Sequence, residues 1–94
     1  MSSSFVLKTT PTFERGFRAL TKRDRELQEQ FIKLLEVLRL DPYNIGKQHD
    51  IKKLTNVAKG EGQWRIRTGN YRLRYDIFDQ EIILHSFSHR KEAY

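Results

Sequence analysis

Four arginines, Arg65, Arg67, Arg72 and Arg74, alternate with apolar residues through the stretch WRIRTGNYRLRYDI between Trp64 and Ile77. A guanidinium stays charged at any physiological pH and donates hydrogen bonds in pairs from a planar fork, which suits it to phosphate. A second set of reactive side chains closes the chain in SHRKEAY, with His89, Arg90 and Tyr94. His89 has the chemistry to take or give a proton near neutral pH, and Tyr94 to stack on a nucleobase or carry a proton. Ahead of the arginines, the segment from Asp41 to Gly62 carries His49, Lys52, Lys53 and Lys59. A lone histidine is ordinarily a surface residue and a terminal tyrosine an anchor; here their company with four arginines gives them interest. Asp76, Asp79 and Glu81 form no convergent cluster, so a metal site is not expected from them.

The charge distribution points the same way. The chain has 94 residues and a formal charge of +6. Between Lys47 and Arg74 stand eight Lys or Arg against only Asp50 and Glu61, and the rest of the chain is balanced. Positive charge concentrated in this way attracts polyanions. An apolar fraction of 37% beside 32% charged residues predicts one soluble globular domain over residues 1–94. The absence of cysteine excludes disulfides and thiolate metal sites. No long apolar run is present, and MSSSFVLKTT lacks the charged and apolar regions of a secretory leader, so a cytoplasmic protein without membrane contact is expected.

The elements that must position these residues follow from periodicity. Phe5 to Leu7 fit a short first strand. Thr10-Pro11 has a capping hydroxyl followed by a proline suited to the first helical turn, and Phe13, Phe17 and Leu20 recur at helical spacing. A second start is expected in TKRD, with Thr21 and Asp24 three apart as a variant capping box. Leu27, Phe31, Leu34, Leu35 and Leu38 make its apolar stripe, which Asp41-Pro42 ends. Such stripes are core, not ligand sites. Asp41 to Gly62 has no clear period, with a short strand or turn possible around Ile51 to Leu54. With Gly69-Asn70 as a two-residue turn, Thr68 faces Tyr71, Arg67 faces Arg72, Ile66 faces Leu73, Arg65 faces Arg74 and Trp64 faces Tyr75. Every arginine then lies on one face and every apolar residue on the other. Glu81 to Phe87 supplies a last strand, with either Ile82/Leu84 or Ile83/His85/Phe87 turned inward.

The predicted architecture is α+β: an N-terminal strand, a two-helix hairpin, then a three-stranded antiparallel meander completing a four-stranded sheet with helices on one face. The opposite face is the arginine face. Directly opposed like charges cost about 0.2–1 kcal/mol per pair, so two Arg–Arg pairs call for an anion. Within the hairpin, Asp76 is the only acid on that face, and nucleic acid is the natural partner.

The order WRIRTGNYRLRYDI, apolar strand, HRKEAY resembles the RelE/ParE superfamily of toxins, and with the preceding helix pair the resemblance covers nearly the whole chain. It is closer to the RelE branch. It implies the toxin of a type II toxin–antitoxin system, a metal-independent endoribonuclease that cuts mRNA in the ribosomal A site and needs no cofactor. It further implies a cognate antitoxin, contact with ribosomal RNA, and operator DNA bound only through the antitoxin. By the same resemblance, Arg65 and Arg67 match paired basic residues, Arg72 the phosphate-binding arginine, Arg90 the tail arginine and Tyr94 the base-stacking tyrosine. Arginines stand where RelE itself has lysines, and arginine does not serve as a base; His89 is therefore the first candidate for proton transfer. Lys52, Lys53 and His49 of the basic loop are lesser candidates for that role, Lys52 and Lys53 are also expected to bind RNA, and Arg74, outside the family's usual set, is left to ribosomal RNA or antitoxin. The ParE branch, which inhibits DNA gyrase, and a non-catalytic RNA-binding module are the competing readings.

Overall fold

A computed structural model describes residues 4–91. The chain runs β1 (Val6–Lys8), α1 (Pro11–Thr21), α2 (Arg25–Leu40), β2 (Ile51–Lys53), β3 (Trp64–Thr68), β4 (Tyr71–Phe78) and β5 (Glu81–His89). The strands form one sheet in the order β1-β5-β4-β3-β2, in which only the β1–β5 pair is parallel. The α+β class and the helix pair stand as expected, but the sheet has five strands, not four. The fifth is β2, where Asp-Ile-Lys alternates polar and apolar residues: Ile51 pairs with Ile66 and Lys52 with Arg65, covering what would be the open edge of β3.

Local chemistry sets the helix ends. The Thr10 hydroxyl accepts the Phe13 N–H, with Pro11 in the first turn. The second helix is capped differently from the Thr21–Asp24 box: α1 runs through Thr21, whose hydroxyl donates to the Phe17 carbonyl, and Asp24 alone caps α2 by accepting the Leu27 N–H at 2.9 Å. A carboxylate directly before the first helical turn outcompetes a hydroxyl three residues earlier because it also meets the positive end of the helix dipole.

The hairpin β3–β4 has the predicted register at all five pairs. Gly69 takes φ +56°, a backbone state that costs glycine nothing. In β5 the two inward sets are combined. Ser86 pairs with Arg74 but Leu84 pairs with Tyr75, so the strand bulges at His85 and its alternation changes phase there. Ile82, Leu84 and Phe87 are all buried as a result. Against this face pack Phe13, Leu27, Phe31, Leu34 and Leu38 of the helices. Phe17, Phe31 and Phe87 form an aromatic knot, with centroids 4.3 Å apart for Phe17–Phe31 and 5.2 Å for Phe31–Phe87. Among the described residues, no helix is long and apolar enough to cross a membrane.

Candidate nucleic-acid interface

The register carries the basic side chains across the sheet in two rows on the face opposite the helices. One row is Lys52, Arg65, Arg74 and Ser86, on β2, β3, β4 and β5. The next is Arg67, Arg72 and Ser88. Cross-strand partners share a face, so five cations from three strands are brought together, as the period-two pattern requires.

Their mutual repulsion is relieved from outside the hairpin. Asp50, just before β2, accepts from Arg67 Nε at 2.7 Å and from an Arg65 terminal nitrogen at 3.2 Å, and its carbonyl accepts the Arg67 N–H. Only 13% of the Arg65 side chain is exposed, against 45% for Arg67. Both guanidinium groups are thus oriented, but one shared carboxylate cannot neutralise two of them, and the face stays positive. Sequence reasoning overlooked Asp50; the signal was the alternation in Asp50-Ile51-Lys52, which puts the acid on the same face as the lysine.

Asp76, the one acid on the arginine face within the hairpin, is committed to the backbone instead of to the arginines. Its side chain is buried and accepts three backbone N–H groups, from Gly60 and Gly62 at 2.9 Å and Gln63 at 3.0 Å. This clasp folds the segment before β3 against β4. The same segment holds Arg74: its Nε donates to the Gly62 carbonyl at 3.0 Å and a terminal nitrogen to the Glu61 carbonyl at 2.8 Å.

The other expected residues are placed as follows. Lys53 pairs with Trp64, on the helix side of the sheet, with its ammonium 5.8 Å from the Trp64 ring. His89 pairs with Tyr71, and the two rings meet edge-on with centroids 5.2 Å apart, also on the helix side. Arg90 is exposed just beyond β5, its N–H donated to the Asn70 carbonyl at 2.7 Å beside the hairpin turn. His49 is exposed in the loop before β2, where Asn44 grips its backbone. Tyr94 lies outside the described residues. The structure therefore unites Lys52, Arg65, Arg67, Arg72 and Arg74, and does not bring Lys53 or His89 onto their face. Among the described residues, no three His, Asp or Glu converge as metal ligands.

Residues 7–94 match the family described as ParE toxin of type II toxin-antitoxin system, parDE. The chain belongs to this family. It is a toxin of a type II toxin–antitoxin system within the RelE/ParE superfamily. Among solved structures, the fold is similar to the RelB-RelE antitoxin–toxin complex of Methanococcus jannaschii, at TM-score 0.68 and 23% identity over 93% of this chain and 94% of that one. It is equally similar to the toxin–antitoxin complex RelBE2 of Mycobacterium tuberculosis, at TM-score 0.68 and 22% identity over 93% and 99% of the two chains. The archaeal RelE-RelB complex of Pyrococcus horikoshii OT3 matches at TM-score 0.68 and 20% identity over 93% and 96%. Among curated proteins, none matches the sequence significantly.

Proposed function

We propose that this toxin is a ribosome-dependent, metal-independent mRNA endonuclease of the RelE type that stops translation in the cytoplasm. The observation that carries the reading is the pair of cationic rows, with Arg65 and Arg67 oriented by Asp50 beside Arg72. In the proposed reaction the ribose 2′-oxygen attacks the adjacent phosphorus and the bond to the 5′-oxygen breaks, leaving a 2′,3′-cyclic phosphate and a 5′-hydroxyl. Negative charge accumulates on the equatorial phosphate oxygens, where fixed guanidinium groups stabilise it more than they stabilise the starting diester. Arg65, Arg67 and Arg72 have this role, and Arg90 and Tyr94 of the tail complete the site, Tyr94 by stacking on a base. Proton transfer falls to His89 in this reading. Its ring stands against Tyr71 at the end of β5, off the arginine face, so the reading requires RNA to bend around the end of the sheet to reach it. Lys52 and Lys53 contact RNA along the β2 edge.

An antitoxin is the expected partner, since an acidic segment over the cationic rows would relieve their repulsion and block RNA at once. Operator DNA would be bound through that antitoxin. The family description favours a second reading, gyrase inhibition without cleavage. One experiment separates the two: purified toxin is added to a translation reaction and mRNA ends are mapped by primer extension, with gyrase supercoiling assayed alongside. Cuts within codons that disappear in Arg72→Ala support the nuclease. Intact mRNA with blocked supercoiling rejects it in favour of gyrase.

A further inference from the structure

The β-bulge leaves His85 on the cationic face, unpaired in the ladder and beside Arg74 (whose cross-strand partner is Ser86). The two side chains line a hollow of about 330 Å³ together with Asn56, Val57 and Glu61. Three observations mark this hollow as built. Arg74 spends two of its five N–H donors on the Gly62 and Glu61 carbonyls, which fix the plane of its fork and leave the remaining donors for a ligand. Gly62, at φ +76°, gives the walls their closeness: a Cβ there would stand 3.0 Å from Arg74 Cβ and Nε and 3.1 Å from His85 Cγ. Finally, the wall is clasped by the buried Asp76 carboxylate, so it does not depend on a ligand for its shape.

An imidazole and a pre-oriented guanidinium facing one hollow suit a phosphate, to which both donate hydrogen bonds. Arg72 and Arg74 lie two residues apart on β4, a step of about 7 Å along a strand, which is on the scale of one nucleotide in an extended chain. We infer that Arg74 and His85 form a second phosphate-binding subsite, one nucleotide along the RNA from the phosphate held by Arg65, Arg67 and Arg72. The inference rests on the RNA reading above and extends it to a residue outside the basic rows. Glu61 and Asn56 also line the hollow, and their side chains carry acceptors suited to the N–H donors of that nucleotide's base. The charged groups facing His85 are Arg74 from β4 and Glu61 from the loop, with Asp76 committed to the backbone beneath. A concave, single-nucleotide hollow favours RNA over an acidic protein segment, whose carboxylates would be met on the flat rows.

The test uses the purified chain and an uncleavable 2′-O-methyl RNA oligonucleotide. Binding is followed by fluorescence anisotropy, and the histidine ring resonances by NMR. The His85 ring signals should move on saturation, and His85→Gln should weaken binding by about tenfold, as expected for losing one charge-assisted hydrogen bond. Unmoved His85 signals with wild-type affinity in His85→Gln overturn the subsite. They do so equally if poly-glutamate moves those signals instead, which would make the hollow a protein-docking site. The mRNA mapping keeps the two readings apart. Cleavage by a wild type whose His85 ignores RNA removes the subsite alone, and RNA engaged by His85 without cleavage removes the nuclease alone.

Discussion

Replacing Asp76 by Asn should destabilise the protein well beyond what a one-atom change suggests. In the native chain Oδ1 accepts from Gly60 and Gln63, and Oδ2 accepts from Gly62. Asparagine keeps the first pair but turns an NH2 group toward the buried Gly62 N–H, so one bond becomes a donor–donor contact and the other two lose their charge assistance. A hydrogen bond to a charged group contributes about 1.5–3 kcal/mol, and an unsatisfied buried donor costs a similar amount, so Asp76→Asn should cost about 2–3 kcal/mol. In a domain of this size that corresponds to a fall in Tm of roughly 10–20 °C. Asp76→Ala, which removes every acceptor, should fall further. The assay is thermal unfolding by circular dichroism, joined to amide hydrogen exchange, because a clasp can open locally without global unfolding. Protection at Gly60, Gly62 and Gln63 should collapse in both variants. A Tm within 2 °C of wild type together with unchanged protection at those three amides would falsify the argument that a carboxylate holds this loop.

Other consequences can be measured directly. Tyr75 is buried and its hydroxyl donates to the Pro42 carbonyl at 2.7 Å, so Tyr75→Phe should lose about 1–2 kcal/mol by denaturant titration. Burial, and then the charge of Asp41, pushes the Tyr75 phenol's pKa up. The folded protein therefore keeps a proton that the unfolded chain releases above about pH 10. Stability should decline above that pH in wild type, and less steeply in Tyr75→Phe. Asp50→Asn frees Arg65 and Arg67 from an exposed carboxylate; stability should drop by less than about 1 kcal/mol. Oligonucleotide affinity should rise in the same variant, most at low salt, and unchanged affinity would show that the two arginines do not meet RNA. Asp24→Ala should cost about 1 kcal/mol through the lost cap on α2, whereas Thr21→Val should leave the start of that helix in place, as judged by its amide protection.

The parts legible in the sequence are those governed by short-range rules. Thr10-Pro11 announces the first helix through chemistry confined to one turn. The apolar stripe from Leu27 to Leu38 and the stop at Asp41-Pro42 define the second. The start of the second helix was less legible because Thr21 and Asp24 are both competent caps, and only continuation of α1 through Thr21 assigns the role to Asp24. β2 was hard to see because three residues carry too little periodicity; its pairing with β3 creates it.

By itself, then, the sequence determined the hairpin register, the segregation of its arginines onto one face and the order of the elements, because side-chain alternation in strands and capping in helices are local and periodic. The tertiary structure alone decided which acids and histidines share that face. Asp50 reaches Arg65 and Arg67 across 15 and 17 residues of chain, and Asp76 is drawn away from the arginines by the N–H groups of a loop 13 to 16 residues earlier. A single extra residue in β5 places His85 with the arginines while His89 falls with Tyr71. Alternation within a strand specifies relative facing only until a bulge shifts its phase, and where the bulge falls is set by packing Ile82, Leu84 and Phe87 into one core.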